Sequence, residues 1–525
     1  MLTLVGAVPE PPAVAQVSAS VREAIAVRLG TRIAARDSIG AALADVYHSR
    51  EYLPVWSDDR GALPIAGELL SLVADAAREG LEPTRYPIDR ARALVESAPS
   101  VDELAELELL LSATWLSYAR DVSLGRVEPV ALDSLWQRGS GLALAETFRQ
   151  ALIGDDPVEA LRDLAPSSQG YARLRLALGR YRALAAAAWA PLPDGPALEP
   201  GATGPPVAAL RERLIALGDL SDSVSSTAYD SSLAAAVRRF QERHGLAPDG
   251  IAAGPTLAAL NVSPIARARQ LEANLERWRW LPRALGERHI ALNTPAFTGD
   301  VVERGRAVLS FRAVFGRPDW PTPIVSGVVT HVVLNPSWRV PRDIAVRELL
   351  PIVRADPGHL AREGIEVLSV NGRPVDPDSV DWSAVSDATL SFRFVQAPGP
   401  RNPLGRVKVE FANPFAAFLH GTIQPELFAR LSRAFSHGCV RMEHAIEVAV
   451  YLLRDDPAWS RDAILAALQG GGELRVTVPR PVNVHLVYWT AWVDAGGAVQ
   501  FRDDVYGWDA KLLEALECGN ASCAL

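Results

Sequence analysis

From about Val17 to Ala190 apolar residues return every third or fourth position, in segments rich in Ala, Leu and Arg. In AGELLSLVADAAREGL, Leu69, Val73 and Ala76 or Ala77 fall on one side of a 3.6-residue turn, so the spacing predicts helices with one buried stripe. An all-helical region is expected over 17–195. The Trp and Tyr residues of VYHSREYLPVWSDDRG and LLSATWLSYARDVSLGRVEP lie between or along those helices and are expected to anchor its core. The Pro- and Gly-dense stretch APLPDGPALEPGATGPP, 190–206, interrupts the pattern and marks a boundary. Beyond it Val207, Leu210, Leu214 and Leu217 share a helical face, YDSSLAAAVRRFQERHGLAPDG predicts a second helix ending at Gly245, and PTLAALN a third. These form a small three-helix unit over 196–263. After Pro264, ARARQLEANLERWRWLP predicts a longer helix, 264–284.

Past Pro282 the period changes to two. HIALNTPAF, AVLSFRAVFG, GVVTHVVLNP, ATLSFRFVQ and RVKVEFANPFAAFLHG alternate or run apolar between Gly, Pro and Asn breaks, which predicts a β-rich domain over 285–509. The stretch 341–386 is different, with a helical piece and polar turns, and is expected to form a flap over the sheet. HAIEVAVYLLRD returns to helix, a hairpin is expected to turn at Gly496-Gly497, and 510–525 reads as a tail.

A chain of 525 residues that is 49% hydrophobic and 22% charged is globular, with length for roughly three domains. Its net charge of -9 argues against a nucleic-acid partner, since phosphate binding needs a concentrated basic surface. No apolar run reaches the length of a membrane span. Ala13-Val14-Ala15 resembles the small-x-small pattern before a signal-peptide cut, although no Lys or Arg precedes it. A terminal tail and an export signal lacking its basic start are both open readings.

The chain has 3 cysteines. Cys518 and Cys523 are close enough in sequence to pair in an oxidising compartment, which would leave Cys439 free. Cys439 follows Gly438 and stands just before VRMEHAIEVAVYLL, whose spacing places the thiol at a helix start. There the helix dipole and unpaired N–H groups would favour thiolate, and the same N–H groups, with Gly438 removing bulk, could hold an oxyanion. The partner base is expected to be His420, at the end of FAAFLHG, because a histidine arriving from another element can aim at the sulfur. His437 is two residues away on the same turn and is the weaker candidate. A zinc site built from His420, His437, Cys439 and His444 is disfavoured, because the spacing lacks a paired C-x-x-C or H-x-x-x-H grip. No metal and no cofactor are expected.

His420, fifteen intervening residues and then Ser436-His437-Gly438-Cys439-Val440-Arg441 resemble the signature of the L,D-transpeptidase (YkuD-type) catalytic domain, a cysteine enzyme family that cross-links peptidoglycan. RPDWPTPIVSGVVTHVVLNPSWRVP, VQAPGPRNPLGRVKVEF and VHLVYWTAWV extend the likeness over most of 285–509. LEPGATGPPVAALRERLIALGDL and AAAVRRFQERHGLAPDGI are similar to the three-helix peptidoglycan-binding domain. The order of parts is similar to that of the large periplasmic L,D-transpeptidases. It departs from the patterns at Arg211, where the binding domain often has Gln, and at Arg441, where many smaller members carry Asn.

The resemblance implies an α+β multidomain protein: an all-α scaffold, a peptidoglycan-binding module and a β-rich catalytic domain carrying a flap. It also implies that Cys439 attacks the carbonyl of the L-centre of diaminopimelate in a tetrapeptide stem and releases D-Ala. A second stem then resolves the thioester into a cross-link. Gly421 would orient His420 through its carbonyl, N–H groups around Gly438 and Cys439 would hold the oxyanion, and His437 would border the centre. Arg441, Ser436, Trp338, Asn402 and Gln396 would contact substrate. Peptidoglycan stem peptides and glycan are the expected partners and the periplasm the expected compartment. Hydrolysis of the thioester by water, making an L,D-carboxypeptidase, and a non-catalytic wall-binding scaffold are the competing readings.

Overall fold

A computed structural model describes residues 19–32, 38–58, 60–97, 99–139, 141–154, 156–193, 195–221 and 226–518. Ala13-Val14-Ala15 and the Cys518–Cys523 pairing lie outside the described residues.

The N-terminal region is built around the 24-residue helix Val101–Leu124. Ser100 starts it with a capping box, its Oγ accepting from Glu103 N at 3.4 Å while Glu103 Oε2 accepts from Ser100 N at 2.9 Å. Trp115, Leu107, Leu111 and Leu116 are buried on it, with Trp115 stacked on Phe148. The helix also buries Glu108, which accepts from Val55 N (2.8 Å), Trp56 N (2.8 Å), Ser57 Oγ (2.7 Å) and Tyr47 Oη (2.9 Å). Four donors offset the desolvation of that carboxylate. They also fix a two-stranded hairpin, Ser57–Asp58 with Gly61–Ala62, the one departure from the all-helical expectation among the described residues of this region.

Helices Pro205–Leu217, Ser231–Arg243 and Gly254–Asn261 make the small module, and Val207, Leu210 and Leu214 are buried as their spacing required. Arg211 turns inward, its Nη2 2.6 Å from Asp230 Oδ2, and Asp230 also caps the next helix at Leu233 N. This departure from the module's usual sequence is therefore part of its core. The following helix, Pro264–Arg279, packs on Gln169–Ala185. At its end Trp280 joins Trp136, Tyr488 and Trp508 in an aromatic cluster that bonds scaffold to the C-terminal region.

The β-rich region holds one nine-stranded sheet. In chain order its strands are β1 (Arg288–Asn293), β2 (Thr298–Glu303), β3 (Arg306–Gly316), β4 (Val325–Leu334), β5 (Val407–Phe411), β6 (Leu419–His420), β7 (Ala434–Ser436), β8 (Val440–Met442) and β9 (Leu474–Val487). The spatial order is β7-β3-β8-β6-β5-β4-β9-β1-β2, and a further pairing of β3 with β2 closes the sheet on itself. Val332, Leu334, Val409, Leu419 and Val484 fill the inside, with helices Ala445–Leu453 and Arg461–Gln469 packed against it.

The insertion has its own sheet and core. Ile365–Ser369 pairs with Pro374–Val375 and with Phe392–Gln396, which pairs in turn with Trp338–Arg339. The segment ATLSFRFVQ, read as a strand of the β-rich domain, thus pairs within the insertion and not in the nine-stranded sheet. Phe394 and Val367 are needed to close a core around Val353, Leu360 and Trp382. Gly496-Gly497 lies in a hairpin joining Ala491–Val493 to Val499–Phe501. Residues 508–518, read partly as tail, form the helix Trp508–Cys518, which buries Leu512.

Candidate active site

The hairpin of β5 and β6 is shaped by Asn413, whose Oδ1 accepts from Phe415 N and Ala417 N at 3.0 Å and whose Nδ2 donates to Ala417 O at 2.8 Å. This turn sends β6 beside β8, in parallel, with Leu419 opposite Val440 and His420 opposite Arg441. Cys439 is the residue before β8. The thiol and the imidazole therefore leave adjacent strands, and both line one cleft of about 390 Å³ with Trp320, Trp338, Phe418 and Arg441.

The expectation of a helix start at Cys439 is wrong. Val440–Met442 is extended, with Met442 paired to Ala313 of β3, and the helix begins only at Ala445. Two neighbouring strands offer Val440-Arg441-Met442 a ladder on both sides, which outweighs the apparent helical spacing. No helix dipole reaches the sulfur. Burial pushes the Cys439 thiol up to about 11, against the Phe418 backbone amide and the positive charges of Lys408 and Arg441. His420 is buried, and desolvation followed by the charge of Arg441 pushes it down to about 3. The resting pair is thus thiol and neutral imidazole.

The carbonyls of Gly421 and Leu404 raise the basicity of His420, Gly421 foremost. Neither meets Nδ1 at full hydrogen-bonding geometry, since Nδ1 has no acceptor among the described residues. Both act as weak orienters. Gly421 N itself donates to Val407 O at 2.8 Å. Gly438 has φ of +96°, a left-handed conformation, and a Cβ there would stand 3.3 Å from Pro321 O. Among the described residues no acceptor takes the N–H of Gly438 or Cys439, which leaves two donors beside the sulfur.

Of the other expected residues, Ser436 is buried and its Oγ donates to Cys439 O at 2.5 Å, so it braces the thiol's backbone. Arg441 lines the cleft and donates to Gln424 Oε1 at 2.7 Å. His437 also lines it, but its Nε2 meets Glu348 Oε1 of the insertion at 2.7 Å, with Arg317 at 3.3 Å and the Trp320 ring edge-on. Asn402 and Gln396 do not line the cleft. Asn402 Nδ2 donates to Pro336 O at 2.9 Å and Gln396 Nε2 to Glu363 O at 2.7 Å, so both hold loop backbone. No group of three or more His, Cys, Asp or Glu able to hold a metal occurs among the described residues.

Sequence reasoning missed Lys408, Glu348 and Trp320. Lys408 stands opposite His420 on β5, with Nζ 4.4 Å over the Phe418 ring. Counting the hairpin register back from His420 could have found it. Glu348 had no such signal, because its approach depends on how the insertion folds back.

A cysteine and a histidine from adjacent strands of one closed sheet thus line a single cleft. Residues 287–459 match the L,D-transpeptidase catalytic domain, 203–260 match the "Putative peptidoglycan binding domain" and 41–178 match the "Scaffold domain". The chain thus carries a stretch matching the YkuD L,D-transpeptidase catalytic domain, preceded by stretches matching a scaffold domain and a peptidoglycan-binding domain. A "Putative L,D-transpeptidase" of Haemophilus influenzae is 31% identical over 251 residues, covering 46% of this chain and 49% of the relative. The chain spans about half the length of that curated relative. Among solved structures, an L,D-transpeptidase of Xylanimonas cellulosilytica is 19% identical, covering 56% of this chain and 99% of its own, with a TM-score of 0.18. Another, of Stackebrandtia nassauensis, is 13% identical, covering 57% of this chain and 97% of its own, with a TM-score of 0.22.

Proposed function

We propose that this protein is a 3-3 cross-linking L,D-transpeptidase working through a thioester on Cys439. The observation that carries the reading is the placing of Cys439 and His420 at the ends of adjacent strands, facing one cleft. His420 takes the thiol proton as the sulfur bonds to the carbonyl of the L-centre of diaminopimelate in a tetrapeptide donor. The tetrahedral oxyanion is held by the N–H groups of Gly438 and Cys439. Collapse breaks the amide bond, and the proton on His420 goes to the leaving D-Ala amine. An acceptor amine then adds to the thioester and the sulfur leaves, with His420 carrying the proton from nitrogen to sulfur. Because the pair rests neutral, His420 acts as a general base during attack and not as the partner of a stored thiolate.

Arg441, with Nε unpaired, is suited to a substrate carboxylate, and Trp338 to the wall behind the stem. In this reading 17–195 is a scaffold, 196–263 docks on peptidoglycan, 264–284 joins it to the catalytic part 285–509, and the protein works outside the cytoplasm, in the periplasm. No helix among the described residues is long and apolar enough to cross a membrane. Incubation with disaccharide-tetrapeptide, resolved by mass, tests the reading. D-Ala release with dimer formation is expected, and exclusive tripeptide would make the protein an L,D-carboxypeptidase instead. Intact-mass measurement after a carbapenem should show an adduct on wild type and none on Cys439→Ala. An unmodified wild type would leave a wall-binding scaffold.

A further inference from the structure

The cleft at Cys439 is not walled by the β-rich region alone. Leu135 of the scaffold region, beyond the helix Val101–Leu124, lines it together with Pro321 and Pro323. Among the described residues before 285 it is the one that does so. The chain reaches the cleft there as a strap, 133–139, bonded edge to edge with the wall. Trp136 forms a parallel bridge with Ile324, in which Ile324 N donates to Leu135 O at 2.9 Å and Gln137 N to Ile324 O at 3.1 Å.

Both ends of the strap are fastened. Asp133 Oδ1 accepts from Leu135 N at 3.0 Å, and Asp133 Oδ2 meets Lys511 Nζ at 3.2 Å. At the far end Gly139 N donates to Trp280 O at 2.6 Å, so close to the next turn that a Cβ on Gly139 would stand 2.6 Å from Pro282. Between them Trp136 is fully buried against Trp280 and Trp508. An extended segment alternates its side chains, so burial of Trp136 leaves Leu135 at the edge of that aromatic cluster, half-buried and open to the cleft. The wall it joins adjoins the sulfur's backbone, since Pro321 O is what a Cβ on Gly438 would meet at 3.3 Å.

We infer that the scaffold completes the catalytic cleft, and that Leu135 is a specificity-determining residue which packs on the aliphatic part of the stem peptide bound at Cys439. The inference rests on the transpeptidase reading and deepens it. Leu and Pro side chains offer neither donor nor acceptor, so only methyl or methylene groups gain by lying on this patch. A charged or strongly hydrated group would lose its water there without finding a partner. The scaffold thereby acts on which stem is accepted. A β-rich region without the strap would keep Cys439 and His420 but lack one side of their cleft.

The test uses the full chain with disaccharide-tetrapeptide, measuring kcat and KM for D-Ala release and the thermal midpoint of wild type, Leu135→Ala and Leu135→Met. Leu135→Ala keeps every main-chain bond of the strap and should raise KM about fivefold with kcat within about twofold, the mark of a contact made equally before and during reaction. Leu135→Met, of similar volume, should bring KM back to within about twofold of wild type. An unchanged KM in Leu135→Ala overturns the inference. So does a loss confined to kcat, or one that follows a fall in thermal midpoint, because the strap then only braces the wall at Ile324. A second arm needs no turnover. Leu135→Trp narrows the cleft from the scaffold side, so alkylation of Cys439 by N-phenylmaleimide, read by peptide mass, should slow at least about threefold while that by the smaller iodoacetamide stays within about twofold. Equal changes with both reagents overturn the inference. If wild type releases no D-Ala the transpeptidase reading fails, and the alkylation pair still decides whether the scaffold walls the cleft.

Discussion

The protonation of Cys439 and His420 can be tested by pH alone. The thiol sits at about 11 and the imidazole at about 3, so moving the proton completely from one to the other in the empty cleft spans eight pH units. That gap corresponds to ~11 kcal/mol before the attraction of the resulting ions is counted, and a close pair in such a half-buried place recovers only part of it. The thiol's rise from 9.0 to about 11 is two pH units, about a hundredfold less thiolate than an ordinary cysteine at any pH below 9. Alkylation of the purified protein by iodoacetamide, followed by intact mass between pH 6 and pH 10, reads this directly. The rate on Cys439 should climb about tenfold per pH unit with no plateau, because the reactive species is the thiolate. His420→Ala should abolish turnover yet leave that climb nearly unchanged. A plateau below pH 8, or a wild-type rate at pH 6 more than tenfold above that of His420→Ala, would show an ion pair already formed and would refute the neutral-pair argument.

Acid should weaken the fold partly through His420. Its pKa falls from 6.5 in the unfolded chain to about 3 in the folded one, so the unfolded state binds the extra proton between those values; the contribution is complete above pH 6.5 and is lost as pH falls toward 3. At pH 4 the loss is at most ~3.4 kcal/mol, and the difference in urea midpoint between pH 7 and pH 4 should be larger for wild type than for His420→Gln; equal differences would contradict it. His437→Ala and Glu348→Gln both cut the tie between insertion and cleft, and each should lower D-Ala release at least about tenfold less than His420→Ala does. A loss equal to that of His420→Ala would undermine the assignment of the base. In the scaffold, Glu108→Ala strands four donors and should cost about 3–5 kcal/mol, read as a drop in the first thermal transition; a cost under about 1 kcal/mol would mean that water replaces the carboxylate.

Much of this architecture was legible because period and punctuation carry it. Val207, Leu210 and Leu214 announced their helix by spacing, and the change to alternation after Pro282 announced the sheet. His420 could be paired with Cys439 because a strand-end histidine and a distant thiol leave a residue-type signature. What failed depended on partners far along the chain. Cys439 looked helical because Val440, Ala445 and Ala449 recur at helical spacing, and only the ladder offered by Ala313 and Leu419 makes the residues after it a strand. Asn402 and Gln396 looked like cleft polar groups, but a turn with several inward carbonyls needs donors, and these amides supply them.

Strand β9 lies between β4 and β1, pairing along both of its edges. It is made of residues 474–487, although Cys439 and His420 both precede it in the chain. During synthesis from the N-terminus, Cys439 and His420 therefore exist for some time on a sheet that is not yet closed, with two raw borders, on β4 and β1, open to any passing strand. The cleft is braced only when the last plank is laid, so premature stops shortly after 459 should yield sticky, misfolded fragments and not a smaller working domain.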